Sequence, residues 1–208
     1  MKTAHLDYEH LLEAFASRVA VSHLANDAGT LMDAARFAAE AHAEVEQLEA
    51  YTGKAYIAHS IAVADILLAH GLTLEEVLAG LLHDVREDTG KSAADLEARF
   101  GAGVATLVAE ATNVSRREDG NRAVRKALDR DHFERGSAGA HNIKLADVTV
   151  NGRSIATLDA KFATTYLPEK EELVAVLTKG DARLMSMARA AVRDGFETLG
   201  MTSSEVAR

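Results

Sequence analysis

Apolar residues recur at intervals of three and four along almost the whole chain, and a single proline, Pro168, interrupts its 208 residues. This pattern restricts the fold more than any other feature. A spacing near 3.6 stacks apolar side chains on one helix face, whereas a strand needs strict alternation, and no strong alternation is present. Alanine and leucine are abundant and aromatics make up only 5% of the residues, which favours helices further. The expected fold class is all-α, a single-domain helical bundle, with residues 1–208 taken as one domain.

Punctuation along the sequence divides it into helices. Thr30 with Asp33 reads as a capping box opening a helix through Ala34, Phe37, Ala38 and Ala41. A second helix fits Ile57 to His70, with Gly71 as its stop. Thr73 with Glu76 caps the next, which carries Val77, Leu78, Leu81 and Leu82. Ser92 with Asp95 starts a short helix ending at Phe100-Gly101, and Val104 to Ala111 reads as another. Residues 114–122 are the most polar stretch and are expected to loop out. Helical spacing resumes from Ala123 to Phe133, and Ser137 suits an N-cap for Ala138 to Asn151. Two last helices fit Pro168 to Leu177, with the proline in a first turn, and Ala182 to Arg193. Residues 201–208 are expected to fray.

Composition removes several classes of function. Without cysteine there is no disulfide framework, zinc ribbon or thiol nucleophile. A formal charge of −9 disfavours non-specific binding to nucleic acid or anionic membranes. The N-terminal MKTAHLDYEH lacks an apolar signal region, and no apolar run approaches the roughly 18 residues of a membrane span. A soluble cytoplasmic protein is the expectation. A phosphate ligand stays compatible with the negative charge, because a bound divalent cation and a few local Lys or Arg reverse the sign within one pocket.

The segment LLHDVREDTG, residues 81–90, carries an apolar face straight into His83, Asp84, Glu87 and Asp88. Taken alone it fits an ordinary solvated helix end. Helical neighbours at i and i+4 share a face, however, so His83 pairs with Glu87 and Asp84 with Asp88. Carboxylates buried beside leucines are costly without a cation. Imidazole and carboxylate donors without sulfur suit manganese, iron, zinc or magnesium. Further donors stand at His59, within an apolar face of Ile57, Ile61, Ala64 and Leu68, and at Asp147, with Asn151 one turn later. Each of these alone is as readily a core histidine or a surface aspartate.

Read in order, Tyr56-Ile57-Ala58-His59, His83-Asp84-Val85-Arg86-Glu87-Asp88-Thr89 and Lys144-Leu145-Ala146-Asp147 with Asn151 resemble the HD hydrolase domain of RelA/SpoT-type alarmone enzymes. Arg99-Phe100-Gly101, Val104, Leu107-Val108 and Glu110-Ala111-Thr112 extend the resemblance, which covers about residues 30–193. Length and the later segments are closer to the small stand-alone hydrolases than to the long bifunctional enzymes. The resemblance implies an HD-type helical fold holding one divalent metal, usually Mn²⁺. It implies His59, His83, Asp84 and Asp147 as ligands, and Glu87 and Asp88 as the acid/base pair. The family reaction removes pyrophosphate from the 3′ position of guanosine tetra- or pentaphosphate. Substrate contacts carry over to Asn151, Arg125, Lys126, Tyr166 and, more weakly, Lys161. Nucleotide is the implied partner, and homo-oligomerisation is left open.

The match departs from the family at the substrate entry. The family's basic, proline-containing stretch before the first histidine is here Ala50-Tyr51-Thr52-Gly53-Lys54-Ala55 and, after His59, Ser60. The base-stacking arginine is Ala50, its lysine neighbour is Tyr51, and the arginine four residues before Tyr166 is Phe162. These changes fall on base and phosphate recognition and leave the metal and acid/base positions intact. Tyr51 offers a stacking face in place of the lost guanidinium. An adenosine analogue of the alarmone, or another phosphorylated nucleotide such as NADPH, is therefore an alternative substrate. An HD-fold nucleotide sensor without turnover is the alternative function.

Overall fold

The computed structural model describes residues 8–201. The expected fraying at 202–208 lies outside the described residues. Every regular element among the described residues is helical, apart from one isolated antiparallel bridge between Leu48 and Ala55. The chain divides after Thr112 into two compact units.

The first unit comprises α1 (Glu9–Val19), α2 (Ala28–Glu44), α3 (Ile57–Ala69), α4 (Leu74–Leu82), α5 (Val85–Asp88), α6 (Ala93–Phe100) and α7 (Ala102–Ala111). α3 is its centre and packs on α1, α2 and α4, while α4 also meets α2 and α7. The expected face of Ile57, Ile61, Ala64 and Leu68 is buried, and so are Val63, Ile66 and Leu67. A helix that is apolar all round belongs inside, so α3 lies among its neighbours rather than on the surface. It stops where expected: the chain turns at Gly71 with φ +74°, a conformation that costs glycine little.

Two of the three expected capping boxes form. The Thr73 hydroxyl accepts from the Glu76 amide, and the Glu76 carboxylate accepts from the Thr73 amide at 2.9 Å. Ser92 and Asp95 do the same for α6. The third does not form, because Thr30 lies inside α2, which begins at Ala28. Asp33 instead takes the Arg99 guanidinium through two hydrogen bonds of 3.0 and 2.5 Å. A bidentate, charge-assisted pair outweighs a neutral cap for the same carboxylate.

The second unit comprises α8 (Arg122–Arg135), α9 (Ala138–Leu158), α10 (Ala160–Val176) and α11 (Ala182–Thr198). α9 is its spine and packs on α8, α10 and α11. Every residue from Ala140 to Thr149 is buried. The polar groups in that run are satisfied locally, as burial demands. His141 Nε2 bonds the Phe133 carbonyl at 2.8 Å, its Nδ1 accepts the Lys179 amide at 3.1 Å, and Asn142 Oδ1 accepts the Asp181 amide at 2.6 Å. Ser137 caps α9 as expected, but the helix runs on past Asn151. The reason is Gly152, which faces Ala191 of α11 so closely that an added Cβ would stand 3.2 Å from the Ala191 Cβ. Pro168 is not in a first turn; it lies within α10, which starts at Ala160 under an Asp159 cap. The proline has no N–H for the carbonyl four residues back, and Thr164 there is exposed, so that carbonyl is open to solvent.

Candidate active site

Three separate points of the first unit deliver polar groups to one place. The first turn of α3 presents His59, the end of α4 presents His83, and Asp84 occupies the break before α5. The chain breaks its helix there, so His83 and Asp84 project side by side from a turn rather than from a continuous helical face. His59 and His83 are buried, and Asp84 is half-buried. Asp84 Oδ2 is the hub. It stands 3.1 Å from His83 Nε2 and 3.5 Å from His59 Nε2, and it accepts the Tyr56 hydroxyl at 2.6 Å.

This donor set fits a divalent cation. The donor atoms of His59, His83 and Asp84 all lie within 4.8 Å of one another. Metal bonds of about 2.1 Å place neighbouring ligand atoms about 3.0 to 3.4 Å apart in octahedral or tetrahedral arrangements, close to the spacings around Asp84. His83 Nδ1 donates to the Gly80 carbonyl at 2.8 Å. That bond fixes the tautomer and leaves the Nε2 lone pair directed at the cluster.

A shell of further groups surrounds this centre. The His42 ring lies 4.6 Å from the Tyr56 ring, Tyr56 lies 5.5 Å from His59, and His59 lies 5.3 Å from His83. Burial holds the His42 imidazole below its usual pKa; its hydrogen bond to the Gln47 amide oxygen and the charge of Asp84 oppose this, and His83 and His59 reinforce it. His42 Nδ1 bonds Gln47 Oε1 at 2.7 Å, and Gln47 Nε2 donates to Asp88 Oδ2 at 2.8 Å. Glu87 and Asp88 form the solvent-side end of α5, and the Asp88 amide donates to the Asp84 carbonyl at 2.9 Å. Although Asp88 keeps an exposed edge, desolvation of its carboxyl pushes its pKa up. The Gln47 hydrogen bond pulls it down, and the like charges of Asp84 and Glu87 push it up again. Tyr51 is exposed in the turn that joins Leu48 to Ala55.

The remaining expected site residues stand in the second unit. Asp147 is buried on α9, with Lys144 Nζ 2.8 Å from its Oδ2 and Asn151 Nδ2 2.6 Å from its Oδ1. Arg125 and Lys126 are half-buried on α8. Lys126 Nζ lies 3.8 Å from Asp129 Oδ2, a buried carboxylate that also holds the amides of Val114 and Ser115. Tyr166 packs against Phe162 at 5.6 Å, and Lys161 is exposed one turn before it.

His42, Gln47 and the hydroxyl of Tyr56 in the first unit, and Lys170 in the second, are not among the candidates read from the sequence. The Lys170 ammonium lies 4.9 Å from the centre of the Tyr166 ring. Burial, against the charge of Asp147 and with that of Lys144 and Lys126, pushes its pKa down to about 8. Its i+4 spacing from Tyr166 was a visible signal. His42 was visible too, as an imidazole on the alanine face four residues after Ala38. Gln47 carried no signal, because its partner is 41 residues away.

An all-α chain that gathers two imidazoles and a carboxylate around an HD step is built as HD-domain proteins are. The HD domain pattern matches residues 34–172, and the chain belongs to that family. The human protein named guanosine-3′,5′-bis(diphosphate) 3′-pyrophosphohydrolase MESH1 is 32% identical over 182 residues, 86% of this chain and 99% of its own length. The bifunctional (p)ppGpp synthase/hydrolase SpoT of Escherichia coli is 36% identical over 113 residues, 51% of this chain and 16% of its own. A solved structure described as "A metazoan ortholog of SpoT hydrolyzes ppGpp and plays a role in starvation responses" matches with a TM-score of 0.69 at 27% identity, over 83% of this chain and 96% of that one. The family implies a divalent metal, and His59, His83 and Asp84 offer the donor types it takes. Among the described residues, no helix is long and apolar enough to cross a membrane.

Proposed function

We propose that this protein is a cytoplasmic, metal-dependent phosphohydrolase that removes the 3′-pyrophosphate from an alarmone-type nucleotide, with guanosine 3′,5′-bis(diphosphate) as substrate and Mn²⁺ as metal. The observation that carries this reading is the convergence of His59, His83 and Asp84 on one place, in a chain that matches the human pyrophosphohydrolase over 99% of that protein's length. Asp147 is assigned as the fourth ligand on the motif Lys144-Leu145-Ala146-Asp147. The HD match spans residues 34–172 and so takes in residues on both sides of Thr112, which supports treating 1–208 as one functional domain.

When bound, a divalent cation supplies Lewis acidity at the phosphate and neutralises its charge. The protein supplies the rest. The carboxylates of Glu87 and Asp88 take the proton of the attacking water, and the raised pKa of Asp88 brings it nearer the value that general-base catalysis favours. Water adds at the phosphorus next to the 3′ oxygen, the O3′–P bond breaks, and the 3′ oxygen takes up a proton. Guanosine diphosphate and pyrophosphate leave. Arg125, Lys126 and Lys161, joined by Lys170, are the cations assigned to the phosphates. Asn151, Tyr166 and Tyr51 are assigned to the nucleoside.

Purified protein with Mn²⁺ is expected to release pyrophosphate from guanosine tetraphosphate, and Glu87→Gln to lose about a hundredfold or more of that rate. Unchanged release in the variant would refute the role of Glu87. A second reading concerns the base. Ala50 cannot stack on guanine, while the exposed ring of Tyr51 offers a face to any purine. Turnover of the adenosine analogue at a rate equal to or above that of the guanosine compound would favour it.

A further inference from the structure

The Asp88 carboxylate is held by a directional chain of two hydrogen bonds from outside its own helix. His42 Nδ1 stands 2.7 Å from Gln47 Oε1, and Gln47 Nε2 donates to Asp88 Oδ2 at 2.8 Å. The chain has one consistent polarity. A carboxylate accepts only, so the Gln47 amide must turn its nitrogen towards Asp88. Its oxygen then faces His42, which must donate from Nδ1. His42 is 1% exposed at the end of α2, and the nitrogen that faces the Gln47 oxygen, Nδ1, carries a proton. Its ring is held in place by the Tyr56 ring at 4.6 Å. Gln47 itself sits just past the end of α2, with its amide bonded to the His42 carbonyl at 3.0 Å. Backbone and side chain thus tie the same two residues together twice: the backbone bond fixes where the glutamine side chain starts, and the side-chain bond fixes how its amide is turned.

We propose that Gln47, locked in orientation by His42, is the positioning residue that aims the Asp88 carboxylate for proton transfer. The inference rests on the assignment of Asp88 to the acid/base pair. It explains how a carboxylate on a four-residue helix at the solvent side of the site holds one rotamer. α5 alone gives it no side-chain partner, whereas a fixed amide donor selects one oxygen and leaves the other directed at the reacting water. The two hydrogen bonds of this chain end on Asp88, so the chain acts on the acid/base group.

The test compares kcat and KM for guanosine tetraphosphate with Mn²⁺ in wild type, Gln47→Leu, His42→Leu and His42→Asn, with bound metal measured on each sample. Gln47→Leu and His42→Leu are expected to lower kcat about tenfold or more while KM and metal content stay within about twofold, the scale seen when the support of a catalytic group is removed. His42→Asn is expected to recover most of the loss, because its amide nitrogen stands close to where the imidazole Nδ1 stood. A wild-type kcat in folded, metal-loaded Gln47→Leu overturns the proposal, as does equal loss in His42→Leu and His42→Asn. Should wild type turn over no alarmone, the functional reading fails and the positioning chain is read directly in the side-chain amide spectrum. The Gln47 Nε2 protons are expected downfield in wild type and to move upfield in both Asp88→Ala and His42→Leu. No movement in either overturns it.

Discussion

Asp84 Oδ2 organises the site at the scale of single residues. One oxygen meets His83, His59 and the Tyr56 hydroxyl within 3.5 Å. On the proposed assignment of Asp84 as a ligand, Tyr56 orients it, besides being the first letter of the Tyr-Ile-x-His motif. Tyr56→Phe removes its donor while keeping the ring that packs on His42 and His59. It is expected to weaken Mn²⁺ binding about tenfold, read by titration calorimetry, with little change in melting temperature. Lys170 gives a second prediction. An ordinary lysine keeps its charge to about pH 10, but here the charge is present below about pH 8 and lost as pH rises through that value. KM for a polyphosphate nucleotide is expected to climb above pH 8 in wild type. Lys170→Arg, whose charge survives, is expected to flatten that climb.

At the scale of elements, the pieces that carry the site are those with the strongest local signals. α4 begins at a capping box and ends at His83, so its start and its functional end are both set by nearby sequence. Thr73→Ala is expected to cost about 1 kcal/mol, seen as a lower urea midpoint with an unchanged slope. Gly80 shows the tertiary part of the same helix. A Cβ there would stand 2.6 Å from Cδ1 of Leu67, a fully buried side chain that must shift to admit it. Gly80→Ala is expected to destabilise by about 1–3 kcal/mol, despite the better helix propensity of alanine, and to disturb the carbonyl that holds His83. The boundaries of α3 and α6 were legible because glycine and capping residues mark them. Those of α2, α9 and α10 were not. Thr30 looked like a cap only while Asp33 had no other partner, and Arg99, 66 residues away, is that partner. Asn151 looked like an end because the packing of Gly152 on Ala191 is invisible in a linear pattern. Pro168 looked like a start because its exposed surroundings, which make an interior proline tolerable, are a property of the folded helix.

The same division holds for the molecule as a whole. The all-α class and the HD-type likeness follow from spacing and from three short motifs, and His83 and Asp84 are adjacent in sequence. What joins them to His59, Tyr56, Gln47 and His42 is the packing of α2, α3 and α4 in the first unit, and no local pattern encodes those distances. A divalent cation at the gathered donors would give local positive charge inside an acidic protein, which suits a polyphosphate substrate. The central claim is that His59, His83 and Asp84 hold a catalytic metal. It is tested most directly by measuring bound Mn²⁺ and pyrophosphate release from guanosine tetraphosphate on the same samples of wild type, chelator-treated wild type and His83→Ala. The account predicts metal and turnover in wild type, loss of both together on chelation with recovery on adding Mn²⁺, and loss of both in His83→Ala. Full turnover in the chelated protein, or undiminished metal binding and turnover in His83→Ala, would contradict it.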